Sequence, residues 1–403
     1  MMSTQNLRIA HVITGLSRGG AENVLYRLIR SQPDPSRHSV ISLMDEGIFG
    51  ERLRALGVRV RCLGLRRGSI PSPVTIWRLS RWLKEMQPAV VQTWMYHADL
   101  LGGLAACLAG TPVCWGIRHS NLSPAQNKRL TLRVAQVNAR LSGWLPSRIV
   151  SCSVRAERLH RALGYADKFV VIPNGLDLTS FAPVNQERRG LIRQALGLPQ
   201  ASKVVGHVGR SDPLKDHATL LRVFAQVAAR HDDVHLLLAG SNLEVGNPYL
   251  DELLVQTGTS TLVPRIRALG PRDDVPDLMA AMDIFLLTSV GEAFPNVVVE
   301  AMACGTPCVV TNVGDSAEIV GDTGWVASPG NIEEIAVEVL DALGEPEDAH
   351  ALRQYRARLR VEENFGAERM VARYKEVWDA AAGIEPHPEE QNPVQDRNSR
   401  QIG

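Results

Sequence analysis

Two glutamates eight residues apart are the residues of this chain best placed to do chemistry. Glu292 follows an apolar run, Ile284–Leu287, which predicts a buried strand, and Glu300 falls in the opening turns of a helix predicted over Asn296–Ala303. The free N–H groups at the start of a helix form a natural phosphate site. A carboxylate inside that helix can accept hydrogen bonds from ribose hydroxyls, and one before it can reach beyond the phosphates. The pair therefore indicates a nucleotide-sugar site.

A second loop carries two cations, Arg210 and Lys215, just after the strand predicted over 204–208. Two positive charges so placed can hold both phosphates of a diphosphate and stabilise a leaving group that departs with negative charge. The alternative interpretation is a pair of solvated charges that cap a helix. The acidic pair further along the chain favours the phosphate interpretation.

Two features of the first half of the chain also lie where strands are predicted to end. The adjacent glycines Gly19 and Gly20 follow a strand predicted over 7–14 and open a helix, so the backbone there can approach a ligand closely. His119 follows another strand, where its ring can hydrogen-bond a sugar hydroxyl or a phosphate. Each has a plain alternative: an ordinary strand-to-helix turn for the glycines, and a loop histidine without a role for His119.

The elements that must position these residues form two series of alternating strands and helices. The first series ends with a strand predicted over 169–172, and the second begins at 204–208, after a polar stretch over 183–193 that we interpret as a linker. Buried apolar strands alternating with helices are typical of parallel sheets covered on both faces. Since 403 residues exceed one usual core, we expect two doubly wound α/β domains facing across a cleft, with ligands at the carboxyl ends of their strands.

The charges are divided unevenly between the two halves. Residues 1–180 carry 24 Lys and Arg against 10 Asp and Glu, whereas residues 181–403 carry 20 against 33. A basic half with a net charge of +14 indicates an anionic partner: nucleic acid, an anionic membrane or a phosphorylated substrate. No recognised nucleic-acid motif accompanies the charge, which favours the other two.

Arginine and tryptophan alternate along a helix predicted over Pro73–Met86, which contains Trp77 and Trp82. An amphipathic helix of this composition can rest on anionic lipid headgroups. The alternative is a solvated polar face with tryptophans in the core.

The remaining composition favours a cytoplasmic protein. The six cysteines show no C-x-x-C spacing and several lie in apolar runs, as expected of reduced core thiols. No apolar run approaches the roughly 20 residues of a membrane-spanning helix. The first residues lead directly into a strand, so we expect no signal peptide.

The motifs together resemble the retaining glycosyltransferases of family 4, which have the GT-B fold. The resemblance covers about residues 7–380, and it is carried by Gly19-Gly20-Ala21-Glu22, Ile172-Pro173-Asn174-Gly175-Leu176-Asp177, Gly209-Arg210 with Lys215, and Glu292-x7-Glu300. Residues 91–100 with Arg118-His119-Ser120 resemble the branch of the family found in bacterial surface-polysaccharide assembly, of lipopolysaccharide or exopolysaccharide.

The resemblance implies a division of labour along the chain. An acceptor-binding domain would span 1–180 and a donor-binding domain 181–365. A helix over 366–383 would cross back to the first domain, and the Pro- and Glu-rich composition of 384–403 predicts a disordered tail.

The resemblance also implies a role for each candidate residue. Lys215 and Arg210 would bind the diphosphate, Glu300 the ribose, and Glu292 would lie near the donor sugar. The catalytic set is Glu292, Lys215, Arg210 and His119, and the donor-binding set is Gly19, Gly20, Phe294, Pro295, Asn296 and Glu300. Two departures from the family pattern stand out: Ala293 where many relatives have glycine, and Gly240-Ser241-Asn242 in place of the commoner Gly-x-Gly.

The implied reaction moves a sugar from a nucleotide-diphospho-sugar, with a UDP-sugar favoured, to a lipid-linked saccharide such as one on polyprenyl diphosphate. No Asp or Glu is placed by sequence as a covalent nucleophile, so the expected route keeps the attacking and leaving groups on one face of the sugar. We expect no metal and no cofactor, because the cations can neutralise the leaving group and no D-x-D motif occurs. The enzyme would act as a peripheral protein at the inner face of the cytoplasmic membrane.

Other functions remain open at this point. A nucleotide-sugar epimerase of the same fold would need no lipid acceptor, and would leave the Arg- and Trp-rich helix unexplained. A catalytically silent partner subunit that binds sugar nucleotides is disfavoured by the intact set of cations and acids. A dinucleotide dehydrogenase is disfavoured most, since neither half has the G-x-G-x-x-G fingerprint.

Overall fold

The first half of the protein is built around a parallel sheet. The computed structural model describes residues 7–17, 19–66, 72–122 and 128–384. Within them, the strands of the first sheet are β1 (Ile9–Ile13), β2 (His38–Ser42), β3 (Arg59–Cys62), β4 (Val90–Trp94), β5 (Val113–Ile117), β6 (Pro146–Ser151) and β7 (Phe169–Val171). The accompanying helices are α1 (Gly20–Arg30), α2 (Gly47–Ala55), α3 (Pro73–Met86), α4 (Tyr96–Ala109), α5 (Arg129–Leu141) and α6 (Val154–Ala162).

The strand order of this sheet is β3-β2-β1-β4-β5-β6-β7, with every pairing parallel. The order reverses beside β1, where Ile9 lies opposite both His38 and Val90. All five residues of β1 are buried, as expected for a central strand covered by helices on both faces. The loops after β1 and β4 therefore meet at a switch point, where open α/β sheets bind ligands.

The second half repeats this design with a smaller sheet. Its described strands are β8 (Lys203–Val208), β9 (Val234–Ala239), β10 (Ile266–Ala268), β11 (Ile284–Leu287), β12 (Cys308–Thr311) and β13 (Trp325–Ala327), in the parallel order β10-β9-β8-β11-β12-β13. The helices are α7 (Gln186–Ala195), α8 (His217–Ala228), α9 (Pro248–Gln256), α10 (Val275–Ala281), α11 (Asn296–Ala303), α12 (Ser316–Val320), α13 (Ile332–Gly344), α14 (Glu347–Asn364) and α15 (Ala367–Ala381). The predicted α/β architecture of two doubly wound units is confirmed.

The last helix, α15, packs on the first half of the chain. Tyr374 and Trp378 are buried in the same core cluster as residues of α1 and β1, and the Trp378 indole N–H donates to the side-chain oxygen of Gln92 at 3.1 Å. Helix α4 approaches the sheet closely on the opposite face, because a Cβ on Gly102 would lie 2.7 Å from the Thr93 methyl group.

The chain crosses between its halves at two segments that are fixed to each other. Leu176 N–H donates to the Phe365 carbonyl at 2.8 Å, and Ala367 N–H donates to the Leu176 carbonyl at 2.9 Å. Gly175 lets these segments touch, since a Cβ there would lie 2.7 Å from Ala367 Cα. The Ile-Pro-Asn-Gly motif thus forms the packing surface for the start of α15.

Several sequence expectations are corrected by the structure. The interpretation of 183–193 as a linker is wrong, because helix α7 begins there, with Asn185 as its N-cap. The buried Arg193 guanidinium lies 2.8 Å from the Asp283 carboxylate. The long helix expected over 124–145 is confined to α5, and 123–127 lie outside the described residues. Strand β13 was not predicted. Residues 385–403 of the expected tail also lie outside the described part, and the domain limits stay predictions.

The six cysteines are all free, and four of them are buried. Within the described ranges, no helix is long and apolar enough to cross a membrane.

Candidate active site

A cleft of about 330 Å³ lies between the carboxyl edges of the two sheets. The first half contributes Gly20, Arg118, His119 and Ser120, and the second contributes Arg210, Lys215 and the loop from Gly291 to the start of α11. Eight of the ten predicted site residues line it: Gly20, His119, Arg210, Lys215, Glu292, Phe294, Pro295 and Asn296. Gly19 adjoins Gly20 in the chain, and Glu300 lies further along α11. The structure therefore brings most of the predicted set together.

Lys215 and Glu292 form a close ion pair in this cleft. The Lys215 ammonium lies 2.5 Å from Glu292 Oε1, and the two side chains are only 17% and 14% exposed. The Ser289 hydroxyl donates to the same carboxylate oxygen at 2.8 Å. A charged pair this well shielded from water interacts strongly, so each residue fixes the position of the other.

The loop that carries Lys215 is hydrogen-bonded to the end of β11. The Thr288 hydroxyl donates to the carbonyls of Lys215 and Asp216, at 3.0 and 3.2 Å. Val290 N–H donates to the Leu214 carbonyl at 2.8 Å. The loop after β8 and the acidic loop after β11 are therefore one rigid unit, which positions the lysine before any ligand arrives.

Arg210 lies on the same loop in a different environment. Its guanidinium is 68% exposed and pairs with Asp212 at 3.0 Å. Exposed pairs of this kind contribute little stability, so turning the guanidinium toward an anion in the cleft costs little. Lys215 is thus held in place, whereas Arg210 can adapt.

The Gly240-Ser241-Asn242 segment, which departs from the family pattern, supports the arginine loop. A Cβ on Gly240 would overlap the Gly209 carbonyl, and the φ of Gly240 is +147°. Ser211 N–H donates to the Ser241 carbonyl at 3.2 Å, and the Asn242 side-chain amide donates to the Ser211 hydroxyl at 2.7 Å. The described contacts of Ser241 and Asn242 thus brace the arginine loop.

Glu300, the predicted ribose ligand, is buried and contacts an arginine of the first half. Arg27 of α1 lies 3.5 Å from Glu300 Oε1 and also donates to the Gly175 carbonyl at 2.9 Å. Burial raises the pKa of the Glu300 carboxyl, and the nearby Arg27 opposes that shift. Sequence reasoning missed Arg27, since nothing distinguishes it from the other basic residues of the first half.

Gly19 and Gly20 are glycines for different structural reasons. Gly20 opens α1, and a Cβ there would meet no atom within 4 Å, so its hydrogen faces the open cleft. A Cβ on Gly19 would lie 2.2 Å from Glu22 Oε2, so Gly19 allows the Glu22 side chain to fold back over the helix start. Burial raises the pKa of Glu22, while the charge of Arg210 across the cleft lowers it to a smaller extent. The sequence places Glu22 in the glycine motif but does not predict this contact with the helix start.

The segment from Phe294 to Asn296 turns its backbone toward the cleft. The Phe294 ring is buried edge-on against Phe365, with centroids 5.8 Å apart, so this side chain anchors the loop in the core. Pro295 is the N-cap residue of α11. Asn296 accepts a hydrogen bond from the Asn174 side-chain amide at 2.9 Å.

Arg118 connects this segment to the last helix. Its guanidinium donates to Asn174 Oδ1 at 2.7 Å and to the Tyr374 hydroxyl, and it stacks over the Trp94 ring with 4.7 Å to the centroid. A continuous path of side chains therefore runs from α15 through Arg118 and Asn174 to Asn296 at the start of α11. Sequence reasoning quoted Arg118 and Asn174 in motifs but not this path, because its partners lie up to 256 residues apart.

Two further contacts join the halves around the cleft. The Ser120 hydroxyl donates to the Glu292 backbone carbonyl. The Asp315 carboxylate accepts hydrogen bonds from the N–H groups of Val154 and Arg155, at 2.8 and 3.1 Å, and so caps helix α6 from the opposite half. The loop after β12 thus joins the two halves at a second point.

His119 lines the cleft beside these contacts, with its ring edge-on to Tyr96 at 6.3 Å. In the described part of the chain, no group of three or more His, Cys, Asp and Glu side chains is arranged to hold a metal ion.

Known proteins match the chain over both halves. A profile described as glycosyltransferase family 4 matches residues 18–180, and one described as glycosyl transferases group 1 matches residues 202–345. A Bacillus subtilis protein described as a glycosyltransferase, EpsF, is 30% identical over 77% of this chain and 80% of its own length. The UDP-Gal:α-D-GlcNAc-diphosphoundecaprenol α-1,3-galactosyltransferase of Escherichia coli is 28% identical over 78% of this chain and 81% of its own length.

Solved structures show the same fold. The Anabaena protein Alr3699/HepE, in a crystal structure with UDP, superposes with a TM-score of 0.80 at 24% identity, covering 93% of this chain and all of that one. WaaG, a glycosyltransferase involved in lipopolysaccharide biosynthesis, superposes with a TM-score of 0.68 at 14% identity, covering 92% of this chain and 99% of that one. The chain is therefore a glycosyltransferase with the GT-B fold, and it belongs to glycosyltransferase family 4.

Proposed function

We propose that this enzyme transfers a sugar from a nucleotide-diphospho-sugar, with a UDP-sugar favoured, to a lipid-linked saccharide, with retention of anomeric configuration, in bacterial cell-surface polysaccharide synthesis. The observation that carries the proposal is the partly buried Lys215–Glu292 ion pair beside the start of α11, in a cleft that both halves line. A cation, a carboxylate and a helix N-terminus in one cleft are the groups that a sugar diphosphate needs.

The donor would bind on the second half. Lys215 and Arg210 would contact the two phosphates, the backbone N–H groups of Phe294 and Asn296 would donate to them, and Glu300 would accept from the ribose. Arg27 would have to share Glu300 with the ribose or release it. The distance of 3.5 Å between Arg27 and Glu300 is long for a charged hydrogen bond, so that contact is cheap to exchange.

The chemistry would take place on one face of the sugar. The bond from the anomeric carbon to the phosphate oxygen breaks, and the acceptor hydroxyl oxygen forms a new bond to the same carbon. The hydroxyl proton passes to the departing phosphate, and the charge that remains is stabilised by Lys215 and Arg210. Glu292 would hold Lys215 and contact the donor sugar, while His119 would face the reacting sugar from the first half.

The proposed acceptor class rests on the relatives and on charge. The Escherichia coli relative is named for a diphosphoundecaprenol acceptor. The first half of this chain, with its net charge of +14, would meet both the acceptor diphosphate and anionic headgroups at the inner face of the cytoplasmic membrane.

A basic and aromatic surface supports the peripheral membrane association. Helices α3, α4 and α5 pack side by side, and Trp77 on α3 and Trp144 after α5 are 61% and 87% exposed. The exposed basic residues of α3 and α5 include Arg78, Arg81, Lys84, Arg133 and Arg140. Exposed tryptophans among arginines and lysines are typical of a surface that contacts lipid headgroups.

The enzyme would need neither a metal ion nor a cofactor, because Lys215 and Arg210 neutralise the leaving phosphate. Transfer that is unchanged by EDTA and by added Mg²⁺ or Mn²⁺ would agree with this proposal, and loss of transfer in EDTA that Mn²⁺ restores would contradict it.

The test of the whole proposal is a nucleotide-release screen of UDP-, GDP- and ADP-sugars, with and without a polyprenyl-diphosphate saccharide. We expect one donor to release its nucleotide only when the lipid acceptor is present, and Lys215→Ala to abolish that release. Conversion of the donor to a different nucleotide sugar without any acceptor would establish the epimerase. Binding of a donor with no turnover under any condition would favour the silent partner subunit.

A further inference from the structure

A second cavity, of about 560 Å³, lies at the carboxyl edge of the first sheet. Its wall is formed by the ends of β1, β2 and β4 and by the start of α5. The β1–α1 connection and the first turn of α1 contribute to both cavities, since Thr14 and Glu22 line this one and Gly20 lines the cleft between the halves. The two cavities are therefore neighbours separated by one short segment of chain.

The wall of this cavity is mostly apolar. Its apolar side chains come from four different segments and comprise Leu43, Met44, Leu65, Met95, Leu101 and Leu130. Apolar side chains do not stabilise a bound sugar phosphate, whereas a hydrocarbon chain is transferred favourably from water onto such a wall.

The polar side chains of the cavity are of distinct kinds: hydroxyls from Thr14, Ser17 and Thr131, carboxylates from Glu22 and Asp45, the His97 imidazole and two cations. The Thr14 hydroxyl is buried, with no hydrogen-bond partner among the described residues, and Glu22 lies in the first turn of α1. Two cations, Arg66 and Lys128, also line the cavity and come from separate loops. A hydroxyl and a carboxylate suit sugar hydroxyls, and two cations suit a diphosphate.

We propose that this cavity binds the reducing end of the acceptor: its sugar, its diphosphate and the first carbons of its prenyl chain. The proposal rests on the proposed function and specifies the acceptor site for it. Thr14 after β1 and Glu22 in the first turn of α1 contact the saccharide. Lys128 and Arg66 bind the diphosphate, and the leucines and methionines hold the first prenyl carbons.

The position of the cavity on α5 fits this occupant. Lys128 precedes α5 and Leu130 lies in its first turn, and further along the helix Arg133, Val137 and Arg140 are exposed. The α5 wall of the cavity thus continues into the basic surface assigned to the membrane. A prenyl chain leaving the cavity along α5 reaches lipid without crossing the donor cleft.

The first test compares Lys128→Ala with Arg129→Ala. The two residues are adjacent and exposed, and each substitution removes one positive charge, but only Lys128 lines the cavity. With a water-soluble, short-prenyl diphosphate saccharide, Lys128→Ala should raise the acceptor KM about tenfold and leave the donor KM unchanged. Arg129→Ala should stay within about twofold of wild type. Equal effects of the two variants on the acceptor KM would overturn the proposal.

The second test addresses the apolar wall with Leu130→Ser and, as its control, Leu108→Ser. Both leucines are exposed, at 44% and 59%, so neither change opens a buried cavity. Leu130→Ser should raise the KM for the prenyl acceptor and leave the KM for the same saccharide diphosphate without a prenyl chain unchanged, while Leu108→Ser should alter neither. An equal effect of Leu130→Ser on both acceptors would contradict the assignment.

The proposed function and the proposed acceptor site can be tested separately. If no lipid acceptor supports nucleotide release by the wild-type enzyme, the proposed function is wrong. If wild-type transfer proceeds and the Lys128 and Leu130 variants behave as their controls do, only the acceptor site is wrong.

Discussion

The two halves of this enzyme use the same parallel design and present different surfaces to the cleft. In the second half, the loops after β8 and β11 are joined by hydrogen bonds and hold the partly buried Lys215–Glu292 ion pair. In the first half, the corresponding edge opens into a mostly apolar cavity with cations among its lining. The shared fold places strand ends at the cleft, and the loops decide what each edge binds.

The halves also differ in what lies beneath those loops. Each buries a histidine pair: the His11 and His38 rings are 2.9 Å apart at their nitrogens, and those of His207 and His217 are 3.2 Å apart. The first pair packs against Trp378 of α15. The second lies directly under the loop that carries Arg210 and Lys215, because a Cβ on Gly209 would be 2.8 Å from His207 Nε2. Protonation of His207 and His217 at low pH should therefore disturb the loop that carries Arg210 and Lys215.

The largest expected effect is the loss of transfer in Lys215→Ala and in Glu292→Ala. Each variant should fold and lose about 10²–10³-fold or more in kcat/KM, because the charge that stabilises the leaving group, or the residue that holds it, is gone. The matched control is Arg188→Ala, which removes an exposed ion pair to Asp277 on the same half. Normal transfer in both cleft variants, measured by nucleotide release, would remove the site assignment.

The next effect is a loss of stability in mild acid. Burial lowers the pKa of His207 to about 3 and that of His217 to about 4, so the unfolded chain takes up protons below pH 6.5 that the folded chain does not. Stability is then full above about pH 6.5 and falls by on the order of 2 kcal/mol for each such histidine by pH 5. Burial also lowers the pKa of His11, His38 and His160, which act in the same direction.

Urea unfolding from pH 5 to 8 checks this prediction. His217→Gln should flatten the slope between pH 5 and 6.5, and UDP binding to the wild-type enzyme should weaken over the same range. The buried Asp99 acts in the opposite sense, since burial raises its pKa to about 7 and its contribution falls as the pH rises from about 4 to 7. An identical slope in His217→Gln and in the wild-type protein between pH 5 and 6.5 would show that His217 is not buried as a neutral group, because Asp99 contributes equally to both proteins.

A smaller effect is expected from Gly20→Ala. The added methyl group meets no protein atom within 4 Å and improves helix propensity at the start of α1, so the stability should be equal or slightly higher. It does enter the donor cleft, and donor affinity should fall about tenfold. Gly143→Ala, also with open space around its Cβ, is the control. Unchanged donor affinity by calorimetry would mean that the first half does not approach the donor there.

The smallest effect concerns the membrane surface. Trp144→Ala should reduce binding to anionic vesicles a few-fold with no change in Tm, because the ring is 87% exposed. Tyr355→Ala, which removes a 61% exposed aromatic ring from the acidic half, is the control. Binding of the wild-type protein should weaken as salt is added. Vesicle binding that is absent, or that ignores salt, would remove the membrane proposal.

The sequence predicted most of the fold and the identity of the family, because both depend on local sequence patterns. Strands such as β11 are apolar runs, and the acids and cations follow them at strand ends. Helix α7 was missed for a physical reason: its exposed face is polar, and what fixes it is the buried pairing of Arg193 with Asp283, 90 residues away.

The parts of the site that the sequence did not predict are also contacts between residues far apart in the chain. Arg27 meets Glu300 across 273 residues, and Arg118 meets Tyr374 across 256. Periodicity and motif spacing report which face of an element is buried, but not which partner lies across an interface between two halves. The cavity proposed for the acceptor is a further example, since its wall is assembled from several separate segments of the chain.

The most direct test of the division between the halves is calorimetric binding of UDP to Lys215→Ala and to Lys128→Ala. We predict that Lys215→Ala weakens UDP binding at least tenfold, and that Lys128→Ala stays within about twofold of wild type. Equal weakening in both variants, or weakening in Lys128→Ala alone, would contradict the assignment of the donor to the second half and of the acceptor to the first.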